Sequence, residues 1–169
     1  MMKDKISVAL FAALVLFTSL FIVYDQGKKV KEEVQYFNYM PDTTGIRVIH
    51  LDADPFDVDV KVVIGSDALA ASKVLRYWTG DMNIQAATLN VRGMTIWPDR
   101  NIPGIPCIWI PSIPKTPDEQ GVLAHEMTHI VQMLMSYVGV TLTEASEEAY
   151  AYMVGYLTRQ FYEGCLELK

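Results

Sequence analysis

The sequence has 169 residues, a formal net charge of −6 and two cysteines, and these values already exclude several classes of protein. A chain of this length corresponds to about one domain. The acidic balance argues against a nucleic-acid-binding protein, because such proteins carry a basic patch or stripe. Cys107 and Cys165 are too few for a disulfide scaffold or a thiolate zinc site. They either form one bridge in an oxidising compartment or remain thiols.

The N-terminus has the pattern of a membrane anchor. Residues 6–24 contain no charged side chain and are flanked by lysines on both sides, and this length is close to what a helix needs to span a bilayer. We therefore predict an anchor over residues 1–27, a charged stalk or amphipathic linker over 28–40, and one domain over 41–169. A cleaved signal peptide and a buried core helix are the alternatives, and the flanking lysines do not indicate which side of the membrane the domain occupies.

The first part of the 41–169 domain is predicted to consist mainly of strands. In residues 58–64, valine and isoleucine alternate with other residues, most of them polar, as in a half-buried strand. A helix is expected after Ser66, which we take as its N-cap, with Thr79-Gly80 as its stop. The prolines of residues 98–106 indicate a loop. The predicted strands cover residues 46–51, 58–64, 88–97 and 107–110.

The last third of the sequence is predicted to form two helices. Thr116-Pro117-Asp118-Glu119 combines an N-cap threonine, a proline at the first helical position and a glutamate three residues after the cap. This first helix is expected to run to Gly139. A second helix is expected to begin near Thr141 or Thr143 and to end near Glu163, before Gly164. Strands followed by two helices predict an α+β domain.

The first of these helices contains the sequence His125-Glu126-Met127-Thr128-His129. Residues four apart lie on the same face of a helix, so both imidazoles can reach one metal ion. Glu126 lies round the helix from the two histidines, where its carboxylate can act on a water without being a ligand. A hydrolytic zinc site needs a third protein ligand and an open fourth position. The motif therefore predicts Zn²⁺ as the cofactor.

Three glutamates near the start of the second helix are candidates for the third ligand: Glu144, Glu147 and Glu148. We prefer Glu148, because it belongs to a face with small residues that we expect to pack closely against the metal-binding helix. Glu144 comes second, since a carboxylate in a first helical turn also complements the helix dipole. Glu147 comes third. The expected packing face consists of Glu148, Ala151, Tyr152 and Gly155.

The spacing of these residues resembles that of a known family. His125-Glu126-x-x-His129, then eighteen residues and Glu148, is similar to the gluzincin metallopeptidases, which include thermolysin-like enzymes and aminopeptidases. The run that begins at Glu148 also resembles short zincin-like proteins encoded by bacteriophages. The resemblance implies a minimal zincin-like domain in which zinc is held by His125, His129 and Glu148. Tyr152 departs from the pattern, since thermolysin-like enzymes carry an acidic residue there.

The resemblance also implies a function. Glu126 would be the general base of a membrane-anchored zinc metallopeptidase, and the strand over 107–110 would be the edge strand that aligns an extended peptide substrate. One alternative is a catalytically inactive zincin-fold structural or interaction protein, with a phage as one source. The other is a hydrolase of non-peptide amides. The group that stabilises the oxyanion stays open among Tyr137, Tyr152, Tyr156 and His50.

Overall fold

The computed structural model describes residues 43–54, 56–98 and 104–168. The predicted anchor and stalk lie outside these ranges. No helix within the described ranges is long and apolar enough to cross a membrane.

The described residues form an α+β fold, in which a four-stranded sheet has helices on both faces. The elements lie within Pro41–Lys169, which forms one unit by its internal contacts. In chain order they are β1 (Arg47–Asp52), β2 (Asp59–Ile64), α1 (Ala68–Thr79), a 3-10 helix (Ala86–Leu89), β3 (Met94–Ile96), β4 (Cys107–Ile110), α2 (Pro117–Tyr137) and α3 (Glu147–Glu167).

The sheet is mixed, and its strand order is β1-β2-β4-β3. β1 is antiparallel to β2, β2 is parallel to β4, and β3 is antiparallel to β4. β4 is therefore an internal strand, and all four of its residues are buried. The prediction that residues 107–110 form the edge strand is wrong, because both sides of β4 are already paired. The edge strand beside β4 is β3.

Alternation along the strands separates two hydrophobic cores. Side chains such as Val62 and Ile108 face one core together with α2 and α3, whereas Val63 and Trp109 face the other core with α1. Because residues on one strand alternate between faces, β1, β2 and β4 each contribute to both cores. β3 contributes Met94 and Ile96 to the core beside α1. The sheet thus places α2 and α3 on one face and α1 on the other.

The two cysteines belong to opposite faces of this sheet. Cys107 packs in the core beside α1, and Cys165 packs against the core beside α2 and α3. Both are free thiols, so the bridge considered above does not form. Burial raises the pKa of the Cys107 thiol, which makes it a poor nucleophile.

The predicted strand over residues 88–97 is wrong in its first half. Residues Ala86–Leu89 form a 3-10 helix, and only Met94–Ile96 pair with the sheet. The Thr88 hydroxyl donates to the Gln85 carbonyl at 2.6 Å and accepts from the Gln85 amide at 3.2 Å. These local bonds give the backbone an alternative to a sheet ladder, as threonine side chains often do.

The N-cap of α1 is Asp67 and not Ser66. One oxygen of the Asp67 carboxylate accepts from the amides of Leu69 at 2.9 Å and Ala70 at 3.1 Å. A carboxylate also interacts favourably with the positive end of the helix dipole. The predicted stop is confirmed, because Gly80 adopts the left-handed conformation with φ of 70° that favours glycine after a helix.

Helix α3 begins later and ends later than the sequence predicts. It starts at Glu147 after Ser146, whose hydroxyl accepts from the Thr143 amide at 2.9 Å and donates to the Thr141 carbonyl at 2.7 Å. These bonds hold residues 141–146 as a loop. The helix continues through Gly164, where a Cβ atom would lie 2.6 Å from Ile49 Cγ2. Gly164 therefore allows close contact with β1 and does not terminate the helix.

The packing face of α3 also differs from the prediction. Its buried residues are Met153, Leu157 and Phe161, which recur every four residues along one helical face. The four residues expected to meet α2 are instead exposed: Glu148, Ala151, Tyr152 and Gly155. The buried face of α3 is the one with large apolar side chains, and the face with small residues is exposed.

Candidate metal and catalytic site

Helix α2 has the predicted capping box at its start. The Thr116 hydroxyl accepts from the Glu119 amide at 3.3 Å, and a Glu119 carboxylate oxygen accepts from the Thr116 amide at 2.9 Å and the Lys115 amide at 2.8 Å. The hydrogen bonds from the Lys115 and Thr116 amides, together with one from the Thr116 hydroxyl, hold the pKa of the Glu119 carboxyl below its usual range. The cap fixes where α2 begins and therefore how its faces are oriented.

The two histidines of α2 are brought together on its outer side. The helix is oriented by its buried residues, among them Met127 and Ile130, so His125 is exposed and His129 is half-buried. Their Nε2 atoms lie 3.0 Å apart. Two nitrogen ligands of a tetrahedral zinc ion, each about 2.0–2.1 Å from it, are separated by roughly 3.3 Å. The pair therefore has nearly the separation that a shared metal ion requires.

Glu126 lies between the histidines in sequence but turns towards the sheet. Only 7% of its surface is exposed. The Thr95 hydroxyl of β3 lies 2.7 Å from Glu126 Oε2 and 3.0 Å from the Glu126 carbonyl oxygen. A hydroxyl donor holds the carboxylate in one orientation, which is what a general base needs.

Gly93 allows β3 to lie this close to the helix. A Cβ atom at residue 93 would be 2.8 Å from Val122 Cγ1, 3.0 Å from Glu126 Cγ and 3.2 Å from Glu126 Oε1. A side chain larger than hydrogen fits there only if Val122 or Glu126 moves. The sequence indicated Gly93 only as a possible break in a strand, although glycine in a strand often marks a close backbone approach.

An open groove of about 490 Å³ runs beside the carboxylate, and we call it the edge groove. At one end, the Arg92 guanidinium donates to the Asp118 carboxylate, and this bond raises the pKa of Arg92. The edge groove places His125, Glu126 and the residues just before β3 within one accessible space. Its lining includes Arg92, Gly93, Asp118, Val122, His125 and Glu126.

The third predicted ligand is not brought to the histidines. Glu144, Glu147 and Glu148 are exposed, and Glu144 lies in the turn before α3 instead of in its first helical turn. Among the described residues, no three histidine, cysteine, aspartate or glutamate side chains lie close enough together to hold a metal ion. The site therefore supplies two of the donors that zinc needs and the carboxylate beside them.

The four candidate oxyanion stabilisers are in different places. His50 accepts a hydrogen bond from the buried Lys61 ammonium, and its ring contacts Trp78 of α1, so it belongs to the face of the sheet opposite α2. Tyr152 and Tyr156 stack on each other along α3, with ring centroids 6.2 Å apart. Tyr137 lies on α2 beside Trp97. The sheet separates His50 from the histidine pair, and Tyr137 packs on Trp97 two helical turns beyond His129, so we discard both for this role.

Thr95 is a site residue that the sequence analysis missed. No spacing rule connects residue 95 with residue 126, because the contact depends on the pairing of β3 with β4. The same holds for Trp97, which follows β3 and whose ring lies 5.7 Å from that of Tyr137.

Comparisons with known proteins identified no relative of this chain. The chain matches no protein family, and searches of curated proteins and of solved structures found no significant match.

Proposed function

We propose that this chain is a zinc-dependent hydrolase of peptide bonds, with His125 and His129 as metal ligands and Glu126 as the general base. The observation that carries this proposal is the 3.0 Å separation of the two Nε2 atoms on an exposed helix face. At this distance the two imidazoles hydrogen-bond to each other, and a shared metal ion would take the place of that bond. The pattern HExxH on a helix is the one that zinc peptidases use.

The surroundings of Glu126 support its role. Its carboxylate is nearly buried, is oriented by Thr95 and borders the edge groove. A zinc ion, when bound, acts as a Lewis acid and lowers the pKa of water towards 7. Glu126 would accept the proton of the attacking water and later deliver it to the leaving amine.

The position of β3 supports a peptide as the substrate. Among the described residues β3 pairs with one strand, β4, and an extended chain would add to its other edge through backbone hydrogen bonds. β3 also lies directly beside Glu126 through Thr95. A peptide that adds to this edge would pass the carboxylate and the histidines. We therefore assign to β3 the substrate-aligning role that the sequence resemblance gave to residues 107–110.

The third ligand in this proposal is Glu148, on the strength of its spacing from His129. Its exposed carboxylate would have to approach the histidines when zinc binds. Replacing Glu148 by Ala should therefore weaken zinc binding more than the same change at Glu144 or Glu147, which serve as matched controls. Zinc titration with a competing chelator measures the difference. Equal affinities of all three variants would exclude Glu148 as a ligand.

The main experiment combines metal analysis with a substitution at Glu126. The full-length chain, purified without chelators, should contain close to one zinc per chain and should cleave members of a peptide library. Glu126→Gln keeps the size of the side chain but removes the base, so zinc should remain while turnover falls by about 10² to 10⁴. Zinc without turnover in the wild type would favour the inactive structural alternative. Absence of stoichiometric metal would contradict the proposal.

We also propose that residues 1–27 anchor the protein in a membrane, because residues 6–24 are uncharged and long enough to span one. The full-length chain should then remain in the membrane fraction after an alkaline carbonate wash. A soluble product that begins near residue 25 would indicate a cleaved signal peptide instead.

A further inference from the structure

A ridge of exposed and half-buried side chains continues from the histidine pair along α2. His125, His129, Met133 and Tyr137 follow one another at four-residue spacing, so each is the surface neighbour of the next. Met133 is 38% exposed and Tyr137 is 59% exposed. Along the ridge, the two candidate metal ligands are therefore followed by two largely apolar side chains within about two helical turns.

The edge strand follows the same course. Arg92 meets Asp118 near the start of α2, Thr95 meets Glu126 in its middle, and Trp97 meets Tyr137 at its end. β3 and α2 thus run in the same direction on either side of the candidate site. The charged pair marks one end of this course, and the aromatic pair marks the other.

The aromatic end has the features of a side-chain subsite. Trp97 is half-buried against the core beside α2 and α3. Its ring is tilted by 49° relative to that of Tyr137, and the ring centroids are 5.7 Å apart. Side chains on a helix lean towards its N-terminus, so Tyr137 leans over the turn that carries Met133, towards His129. Met133 and Tyr137 thus follow His129 on the same side of α2.

We propose that Trp97, Met133 and Tyr137 form a subsite for a large apolar or aromatic side chain of the peptide substrate. This inference rests on the proposed peptidase function and specifies its substrate class. Met133 and Tyr137 are four and eight residues from His129, which corresponds to about 6 and 12 Å along the helix. At about 3.3 Å per extended residue, the side chain belongs to a residue two to four positions from the scissile bond.

The direction of β3 determines which side of the scissile bond this residue occupies. Antiparallel pairing is the more stable of the two strand arrangements. A peptide antiparallel to β3 has its amino-terminal part at Trp97 and its carboxyl-terminal part at Arg92. The subsite therefore selects a residue on the amino-terminal side of the bond.

The test is cleavage of a peptide library by the full-length, zinc-loaded chain, with products identified by mass spectrometry. Phe, Tyr, Trp, Leu or Met should be enriched two to four residues before the cleaved bond. Tyr137→Ser should lower kcat/KM about tenfold for peptides with such a residue. It should change kcat/KM by less than about twofold for the same peptides with Ser at that position. Leu69→Ser, an exposed leucine on α1 at the other face of the sheet, is the matched control and should show neither effect.

A binding measurement separates the failure of this inference from the failure of the proposed function. Fluorescence anisotropy of labelled peptides, with Phe or Ser at the selected position, is measured on Glu126→Gln with and without Tyr137→Ser. Phe-dependent binding that Tyr137→Ser abolishes, without any cleavage by the wild type, would overturn the peptidase proposal and support the subsite.

Three results would overturn the subsite itself. The first is a preference on the carboxyl-terminal side of the bond or no preference at all. The second is an equal loss of activity for all peptides with Tyr137→Ser. The third is a change in native mass with Tyr137→Ser, which would show that this surface joins two copies of the chain.

Discussion

Two glycines near the candidate site give a matched test of how the edge strand and the helix fit together. Gly93 and Gly121 both lie close to Glu126 in the fold, one before β3 and one within α2. At Gly93 an added Cβ atom would be 2.8 Å from Val122 Cγ1 and 3.0 Å from Glu126 Cγ, whereas at Gly121 it would meet no atom within 4 Å. The same substitution, glycine to alanine, should therefore have opposite effects.

Gly93→Ala should destabilise the fold and reduce turnover. Overpacking by one methyl group costs about 1–3 kcal/mol, because Val122 or Glu126 must move by several tenths of an ångström. A displacement of 1 Å at a catalytic group can cost about 10²-fold in rate, so we expect a loss on the order of tenfold. Gly121→Ala should instead stabilise the protein by about 0.5–1 kcal/mol, since alanine favours the helix over glycine.

Thermal and urea denaturation of both variants and steady-state cleavage by Gly93→Ala measure these effects. For a domain of this size, 1 kcal/mol corresponds to roughly 3–5 °C in Tm, so the two variants should melt on opposite sides of the wild type. If Gly93→Ala were as stable as the wild type and fully active, β3 would not approach Glu126 closely, and the packing of the site described above would be wrong.

Three further predictions concern the sheet and its two cores. Thr95→Val, which removes the hydroxyl that donates to Glu126 at 2.7 Å, should lower kcat about 10- to 100-fold, whereas Thr95→Ser should restore most of it in the same cleavage assay. The pKa of His50 is lowered by partial burial and then by the Lys61 charge. The unfolded state therefore binds the proton more readily, and stability should be lost as pH falls below about 6.5. In urea titrations, the free energy of unfolding should fall less between pH 7.5 and pH 5.5 for His50→Gln than for the wild type. An equal fall in both proteins would refute this explanation. Phe161→Ala, at a fully buried position, should cost about 3–5 kcal/mol in the free energy of unfolding, and a loss below 1 kcal/mol would show that α3 does not pack as described.

The elements that could be predicted from the sequence are those set by local chemistry. The capping box at Thr116 and the left-handed Gly80 follow from short-range bonds and steric limits, and both are confirmed. β1, β2 and β4 are found within one residue of the expected ranges, because alternating or continuous runs of β-branched residues favour strands.

The errors share a different cause, which is dependence on tertiary contacts. Glycine often follows the end of a helix, but Gly164 lies inside α3. Its lack of a side chain allows α3 to pack closely against Ile49. β4 is internal because β3 pairs beside it, and no pattern within four residues indicates how many neighbours a strand has. The contact of Thr95 with Glu126 depends on the same pairing. The fold class and the histidine pair were therefore predictable, and the surroundings of the pair were not.

The shortness of β3 has a consequence for how the candidate site responds to heat. β3 has three residues and hydrogen-bonds to one neighbouring strand, whereas α2 has 21 residues and a deeply buried face. Segments with few ladder bonds open at much lower free energy than the core around them. Amides of β3 should exchange with deuterium sooner than those of α2, and each opening releases Glu126 from Thr95. The temperature at which turnover declines should therefore lie below the temperature at which the domain melts.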